Sequence, residues 1–310
     1  MIALPLARKI AELFLILFSF AAMVRAGVLK SQDSQVLSRV SLYFVTPCVV
    51  FNSFLKEMGP EVQQGLAVSV AFALIVHLIY FVIVLALKKV WKATEVEQAS
   101  IVFTNAGNLV IPLVAYALGE KWVIYVSGYI LVFNMIFWTV GLRIFDSEGG
   151  HSLRKVLLNP NMLAILAGIL VMLTGVKLPE TLSIAFSDVA AMIGPLSMMI
   201  IGMVTGGMKL RELTANRRIW GILLFRMVVC SGIAVLVAVV LAKTGWVAGG
   251  KQLMMIPLLS AIAPSASNIP QMAILYDHDA RYASAINIVT TLSCILTVPL
   301  WIALYQAAVG

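Results

Sequence analysis

The sequence predicts an all-α integral membrane protein of about ten transmembrane helices, arranged as two inverted repeats of about five helices each. Three observations support this fold class. Hydrophobic residues make up 61% of the chain, charged residues make up only 12%, and apolar stretches of about 20 residues recur from one end to the other. Each stretch is long enough to cross a hydrocarbon core about 30 Å thick, and the loops between them are too short for a soluble domain.

Apolar runs and the charges of the loops place the helices in chain order. The first repeat is predicted to hold helices at residues 9–29, 36–56, 63–87, 97–118 and 121–143. The second is predicted to hold helices at residues 157–176, 182–207, 217–243, 252–276 and 281–307. The polar connection Asp146–Lys155 divides the chain near its midpoint, so we expect the repeats to comprise residues 1–150 and 151–310.

The distribution of Lys and Arg predicts the orientation of the chain. Basic residues are retained on the cytoplasmic side of short loops. They concentrate in the loops that follow the odd-numbered helices, such as the loop with Lys88, Lys89 and Lys92, and are sparse on the other side. We therefore expect both termini to lie on the outer side of the cell membrane. Because each repeat has an odd number of helices, the second must cross the membrane in the opposite sense to the first.

Prolines interrupt corresponding helices of the two repeats. Pro47 and Pro195 lie in the second and seventh predicted helices, Pro112 lies in the fourth, and both Pro264 and Pro270 lie in the ninth. A proline cannot donate a backbone hydrogen bond and clashes with the carbonyl four residues before it. Paired interruptions at corresponding positions indicate the binding site of a transporter.

The segments around these prolines are too polar to face lipid, since residues 105–112 read NAGNLVIP and residues 264–271 read PSASNIPQ. We expect Pro112 and Pro270 each to free the carbonyl four residues earlier, which then needs a partner from protein or from a wet cavity. A helix broken inside the membrane also presents a new N-terminus, which favours an anion. Two such helices that cross would direct both ends at one place.

The candidate substrate-binding residues follow from this pattern, because amide and hydroxyl side chains near the broken ends can donate hydrogen bonds to a carboxylate. Asn134, in the fifth predicted helix, belongs to a second polar stripe that interhelical hydrogen bonds also explain. The alternative interpretation is that Asn and Ser only satisfy the kinked backbone. The predicted site comprises Asn105, Asn108, Pro112, Asn134, Ser265, Ser267, Asn268, Pro270 and Gln271.

The sequence lacks the residues that several classes of function require. Carboxylates are almost absent from the middle of the predicted helices, which weakens an ion-antiporter hypothesis. The basic residues are scattered, which argues against a nucleic-acid partner. The three cysteines lie far apart, and the sequence has neither a metal-binding motif nor a mid-membrane catalytic pair. We therefore expect no metal, no cofactor and no enzyme activity.

Two polar residues inside predicted helices have alternative interpretations. Arg226 lies about two turns into the eighth helix, where it either attracts a substrate or snorkels to the cytoplasmic interface. His77, with Tyr80 one turn away, fits a hydrogen-bonded packing residue better than a proton relay.

A set of motifs spans essentially the whole chain. They are NAGNLVIP at 105–112 with YALGE at 116–120, Asn159-Pro160, Gly194-Pro195-Leu196 with Ile201-Gly202, APSASN at 263–268, and YASAIN at 282–287 with LTVPL at 296–300. In these motifs the sequence resembles the auxin efflux carrier family, which includes plant PIN-type auxin carriers and bacterial permeases for malonate, malate and similar acids.

The resemblance implies an inverted repeat of five plus five helices in which the fourth and ninth are broken and cross. It also implies a scaffold domain that includes helices one, two, six and seven, and an elevator-like movement of the other domain, with both domains drawn from both repeats. Asn108 and Pro112 correspond to the first crossing helix, and Asn268 and Pro270 to the second, although residues 269–271 depart from the family's apolar pattern. The chain lacks the long cytoplasmic loop of many plant carriers, so the resemblance favours a compact permease of the bacterial inner membrane.

Together these features lead to a functional expectation. We expect a secondary transporter or facilitator that moves a small organic anion, a mono- or dicarboxylate, across a lipid bilayer. A sodium-coupled symporter of the bile-acid type is the alternative, which a sodium dependence of transport would favour. The sequence leaves the oligomeric state open, and a homodimer is compatible with it.

Overall fold

A computed structural model describes residues 3–52, 54–55, 60–111, 113–114, 118–119, 122–146, 158, 160–209, 216–244 and 250–310. Across these ranges the structure is helical and contains no strand, apart from one isolated bridge between Thr104 and Ser265. Six helical segments within them are long and apolar enough to cross a membrane. The predicted all-α class is therefore confirmed for this part of the chain. The predicted midpoint connection lies almost entirely outside it.

The helices are numbered in chain order, and the predicted fourth and ninth helices each correspond to two shorter ones. Before the midpoint lie α1 (Ala3–Arg25), α2 (Ser31–Asn52), α3 (Pro60–Trp91), α4 (Glu95–Val102), the short π-helical α5 (Ala106–Val110) and α6 (Val123–Ile136, continued through Leu142–Phe145). After it lie α7 (Pro160–Thr174), α8 (Glu180–Gly206), α9 (Arg217–Lys243), α10 (Gly250–Ala261), α11 (Asn268–Leu275) and α12 (Ala280–Val309).

Three of the long helices contain π-helical turns. They lie at Ser41–Val45 in α2, just before Pro47, at Phe137–Gly141 in α6, and at Leu224–Cys230 in α9. A widened turn leaves backbone carbonyls without their regular partners, and in α2 the hydroxyl of Thr46 donates to the carbonyl of Ser41 at 2.8 Å. Such turns are frequent at functional sites, and all three lie beside the broken helices described below.

The helices α1, α2, α7 and α8 form one packed group, which we call the wall group. The closest approach is between α1 and α8, where small residues bring the backbones into contact. A Cβ atom on Gly206 would lie only 2.8 Å from the carbonyl oxygen of Ala21, and one on Gly202 would overlap the carbonyl of Leu17. The absence of side chains at Gly202 and Gly206 therefore allows the two helices to pack this closely.

The remaining helices form a second group, which we call the crossing group. In it α3 packs against α6, α10 packs against both, and α9 packs against α10 and α12. The two groups meet where α11 contacts α2 and α8, and where α12 contacts α1 and α8. The broken helices therefore lie against the wall group, between the two packed units.

Candidate functional site

The two broken helices cross at their non-helical connections. Residues 103–105 separate α4 from α5, and residues 262–267 separate α10 from α11. The backbone N–H of Asn105 donates to the carbonyl of Pro264 at 2.8 Å, and the N–H of Ala266 donates to that of Phe103 at 3.0 Å. The freed backbone groups at each break thus satisfy one another across the crossing.

The prolines of the two broken helices lie close to the breaks, but of the described ones only Pro264 lies within a non-helical connection. Pro264 lies inside the second connection, whereas Pro270 lies in the first turn of α11, where a proline is tolerated. The carbonyl of Ala266, which Pro270 cannot pair, accepts the N–H of Ile269 at 3.2 Å. The first break begins after Val102, well before Pro112, which lies outside the described residues together with the side chain of Asn108.

A cavity of about 40 Å³ lies at the crossing, between the broken helices, α6 and the wall group. Four of the predicted site residues line it, namely Asn105, Asn134, Ser267 and Asn268. Its other described lining residues are Thr46, Val49, Thr104, Gly107, Ile130, Phe133, Ile193 and Ala266. At about 10–15 Å³ per water, this volume holds about three water molecules, so a carboxylate enters only if the cavity widens.

Three predicted residues lie near the crossing without lining the cavity. Ser265 is tied to α12, because its carbonyl accepts from Asn287 at 2.8 Å and its N–H donates to Thr290 at 3.3 Å. Pro270 is buried in the first turn of α11. The third residue, Gln271, makes its hydrogen bonds to the wall group.

The side chain of Gln271 bridges the two groups of helices. Its Oε1 accepts the hydroxyl of Ser41 in α2 at 3.0 Å, and its Nε2 donates to the hydroxyl of Ser197 in α8 at 3.0 Å. Both the oxygen and the nitrogen of the amide therefore make a hydrogen bond to the wall group in this conformation. Gln271 therefore joins the crossing group to the wall group and is not among the residues that line the cavity.

Arg226 is a central residue of the crossing that the sequence did not place there. Its side chain is fully buried, so of the two interpretations of this residue the one in which it snorkels to the interface is wrong. Its Nε donates to the carbonyl of Ala263 at 3.1 Å, its Nη1 donates to that of Ile101 at 3.1 Å, and its Nη2 donates to Ala261 and Ala263. The only sequence signal was an arginine inside an apolar run. The carbonyls that bind it become free only because both helices break.

Several buried polar atoms around the crossing lack a hydrogen bond of normal geometry in the described part of the chain. They include the hydroxyls of Thr104 and Tyr129, which are neighbours, the hydroxyl of Ser265, and Nε2 of His77. The other ring nitrogen of His77 bonds to the carbonyl of Ala73 at 2.8 Å, as expected for a hydrogen-bonded packing residue. Buried polar atoms of this kind are normally satisfied by water or by a ligand.

Comparison with protein families decides the class of this protein. A sequence profile of the membrane transport protein family matches residues 6–302. The chain belongs to this family. It is the family of the auxin efflux carriers, as the motifs predicted, so the protein is a multi-pass membrane transporter and the predicted class of function is confirmed at that level. A search of curated proteins found no match.

In this auxin efflux carrier family member, a second polar cluster fixes one end of the crossing group. Glu97, in the first turn of α4, is fully buried and accepts two hydrogen bonds of 2.6 Å from Arg218 in α9. It also accepts the hydroxyl of Tyr282 in α12 at 2.7 Å and the backbone N–H of Thr94 at 2.8 Å. Arg218 lies over the ring of Trp91 at 4.8 Å. The cluster ties α4, α9 and α12 together.

Proposed function

We propose that this transporter is a secondary carrier or facilitator that moves a small organic anion, a mono- or dicarboxylate, across the membrane. The observation that carries the proposal is the chemistry of the cavity at the crossing. Amides of Asn105, Asn134 and Asn268 and hydroxyls of Thr104 and Ser267 line it, and no carboxylate is among its described lining residues. Amides and hydroxyls donate to carboxylate oxygens, and nothing in that lining repels an anion.

The packing of the helices supports an elevator-like mechanism. Thr46, Val49 and Ile193 belong to the wall group, whereas the rest of the cavity lining belongs to the crossing group. A movement of the crossing group along the wall would therefore carry most of the site with it. The small volume of the cavity supports this proposal too, because the substrate needs an opening between the groups.

We place the two inverted repeats at residues 1–150 and 151–310, with each group of helices drawn from both. The excess of basic residues in the loops after odd-numbered helices supports a cell-membrane orientation with both termini outside. In this arrangement the Glu97 cluster lies at the cytoplasmic end of the crossing group.

The alternative is a sodium-coupled symporter of the bile-acid type. The hydroxyls of Thr104 and Ser265, which make no hydrogen bond of normal geometry with the described residues, are oxygens of the kind that bind a cation. However, the guanidinium of Arg226 lies at the same crossing and repels a cation there. We therefore favour an anion carrier without a sodium site at the crossing, and the sodium dependence of uptake separates the two.

The test is transport by oriented wild-type protein in proteoliposomes. Currents on a solid-supported membrane and tracer uptake, which detects electroneutral transport, are measured with malonate, malate and lactate, and with amines and sugars as controls. Asn105→Ala and Asn134→Ala should lose carboxylate transport. The matched control is Thr139→Ala in α6, whose hydroxyl bonds only to the backbone of its own helix. Absence of carboxylate transport by wild type in both assays would overturn the proposal.

A further inference from the structure

Arg226 binds the C-terminal ends of α4 and α10, which are the first halves of the two broken helices. Ile101 lies in the last turn of α4, and Ala261 is the last residue of α10. Their carbonyls, with that of Ala263, accept the guanidinium donors. The C-terminus of a helix carries partial negative charge, so one cation stabilises two helix ends that would otherwise lie unpaired within the membrane.

The positive charge of Arg226 has no acidic partner in the described part of the chain. The ion pairs found there join Arg8 to Glu12 and Arg218 to Glu97. The closest aromatic contact is the ring of Tyr80, at 5.2 Å from the guanidinium carbon. A buried charge is normally paired, and carbonyl dipoles stabilise this one without cancelling it. Among the described residues, the crossing therefore carries a net positive charge.

The guanidinium of Arg226 lies close to the cavity, because the residues whose carbonyls it binds are only a few positions from residues that line the cavity. Thr104 lies three residues after Ile101, and Ala266 lies three residues after Ala263, and both line the cavity. Three extended residues span at most about 10 Å. At that distance and at an effective dielectric constant of about 20, one unit charge changes the binding of another by about tenfold.

We propose that Arg226 is the positioning residue that determines the charge class of the substrate, because it is the fixed positive charge beside the cavity at the crossing. This inference rests on the proposed function and deepens it. Arg226 touches no cavity atom itself and acts through its field and through the carbonyls that it holds. An anion gains from this field in proportion to its own charge, so a dicarboxylate gains more than a monocarboxylate.

The experiment compares KM values for malonate and lactate in proteoliposomes at a pH where both acids are fully ionised. Arg226→Gln should raise KM by about a hundredfold for the dianion and by about tenfold for the monoanion, so their ratio shifts about tenfold. Arg226→Lys keeps the charge and should keep the wild-type ratio. The matched control is Tyr80→Phe, which removes hydroxyl bonds to the carbonyls of Ala261 and Cys230 but no charge, and it should also keep the ratio.

The outcomes distinguish charge from structural damage. A distorted crossing raises both KM values by the same factor, so an unchanged ratio in Arg226→Gln would overturn the inference while leaving the carrier function intact. If Arg226→Gln does not fold, the test rests on Arg226→Lys, which keeps the charge. Loss of the wild-type ratio of the two KM values in this variant would equally overturn the inference. Absence of transport in wild type would instead reject the proposed function on which the inference rests.

Discussion

The backbone N–H of Asn105 donates to the carbonyl of Pro264 at 2.8 Å, and this bond joins two helices that both break inside the bundle. Its companion between Ala266 and Phe103 completes a short antiparallel pairing. Because backbone groups hold the crossing together, the side chains of the same connections are left for other roles. Some of them line the cavity, and among these the hydroxyl of Thr104 makes no hydrogen bond of normal geometry with the described residues.

The ion pair between Glu97 and Arg218 should contribute strongly to stability. Glu97 is fully buried and Arg218 is partly exposed, so Glu97→Gln leaves the arginine without its carboxylate partner in a partly buried position. We expect a loss of about 3 kcal/mol in the free energy of unfolding, measured by thermal or denaturant unfolding in detergent. Glu12→Gln is the matched control, since its pair with Arg8 is 3.8 Å long and well exposed, and it should change stability by less than about 1 kcal/mol. Equal effects of the two substitutions would contradict this prediction.

The contact between α1 and α8 should not tolerate a methyl group at Gly206. The new Cβ would lie 2.8 Å from the carbonyl oxygen and 2.9 Å from the Cα of Ala21, and backbone atoms cannot rotate away. We expect Gly206→Ala to lower the free energy of unfolding by about 2 kcal/mol or more. Gly207→Ala is the control, because its nearest atom would lie at 3.6 Å, an ordinary contact. A melting temperature that is the same for both variants would show that the helices separate easily.

The positions of the two breaks show what the sequence can and cannot predict. The polar, proline-containing segments 105–112 and 264–271 indicated where the helices fail, because proline and amide patterns are local. The first break nevertheless begins at Phe103, because its backbone pairs with residues about 160 positions later in the chain. Tertiary partners of this kind leave no local signal.

The roles of individual polar side chains were predicted unevenly for the same reason. Asn105 and Asn268 lie at the broken ends, where the polar pattern placed them, and both line the cavity. Gln271 lies only three residues beyond Asn268, yet one helical turn points it at Ser41 and Ser197. For Arg226 the sequence left substrate attraction and interfacial snorkelling open, because it cannot show that the side chain makes four hydrogen bonds to free carbonyls inside the bundle.

The bridge made by Gln271 should stabilise the conformation described here. Gln271→Met keeps the size of the side chain and removes both hydrogen bonds to the wall group, each worth about 1 kcal/mol. We expect faster hydrogen–deuterium exchange in the Ser41–Val45 turn, as the crossing group leaves this position more often. Gln306→Met is the control, because its amide contacts only the sulfur of Met255 at 3.8 Å inside the crossing group. Unchanged exchange in the turn would contradict a conformational role for Gln271.

The hydroxyl of Thr104 should matter more for the substrate than for stability. It lines the cavity and makes no hydrogen bond of normal geometry with the described protein atoms, so Thr104→Val removes at most a weak contact with the hydroxyl of Tyr129. Stability should stay within about 0.5 kcal/mol of wild type, whereas a lost bond to a carboxylate should raise KM by about tenfold or more. Thr290→Val should show the opposite pattern, because its hydroxyl accepts the buried N–H of Ser265 at 3.3 Å and the substitution orphans that donor. Unfolding assays and uptake kinetics on both variants are decisive. A destabilised Thr104→Val with an unchanged KM would mean that this hydroxyl serves the fold and that the anion binds elsewhere.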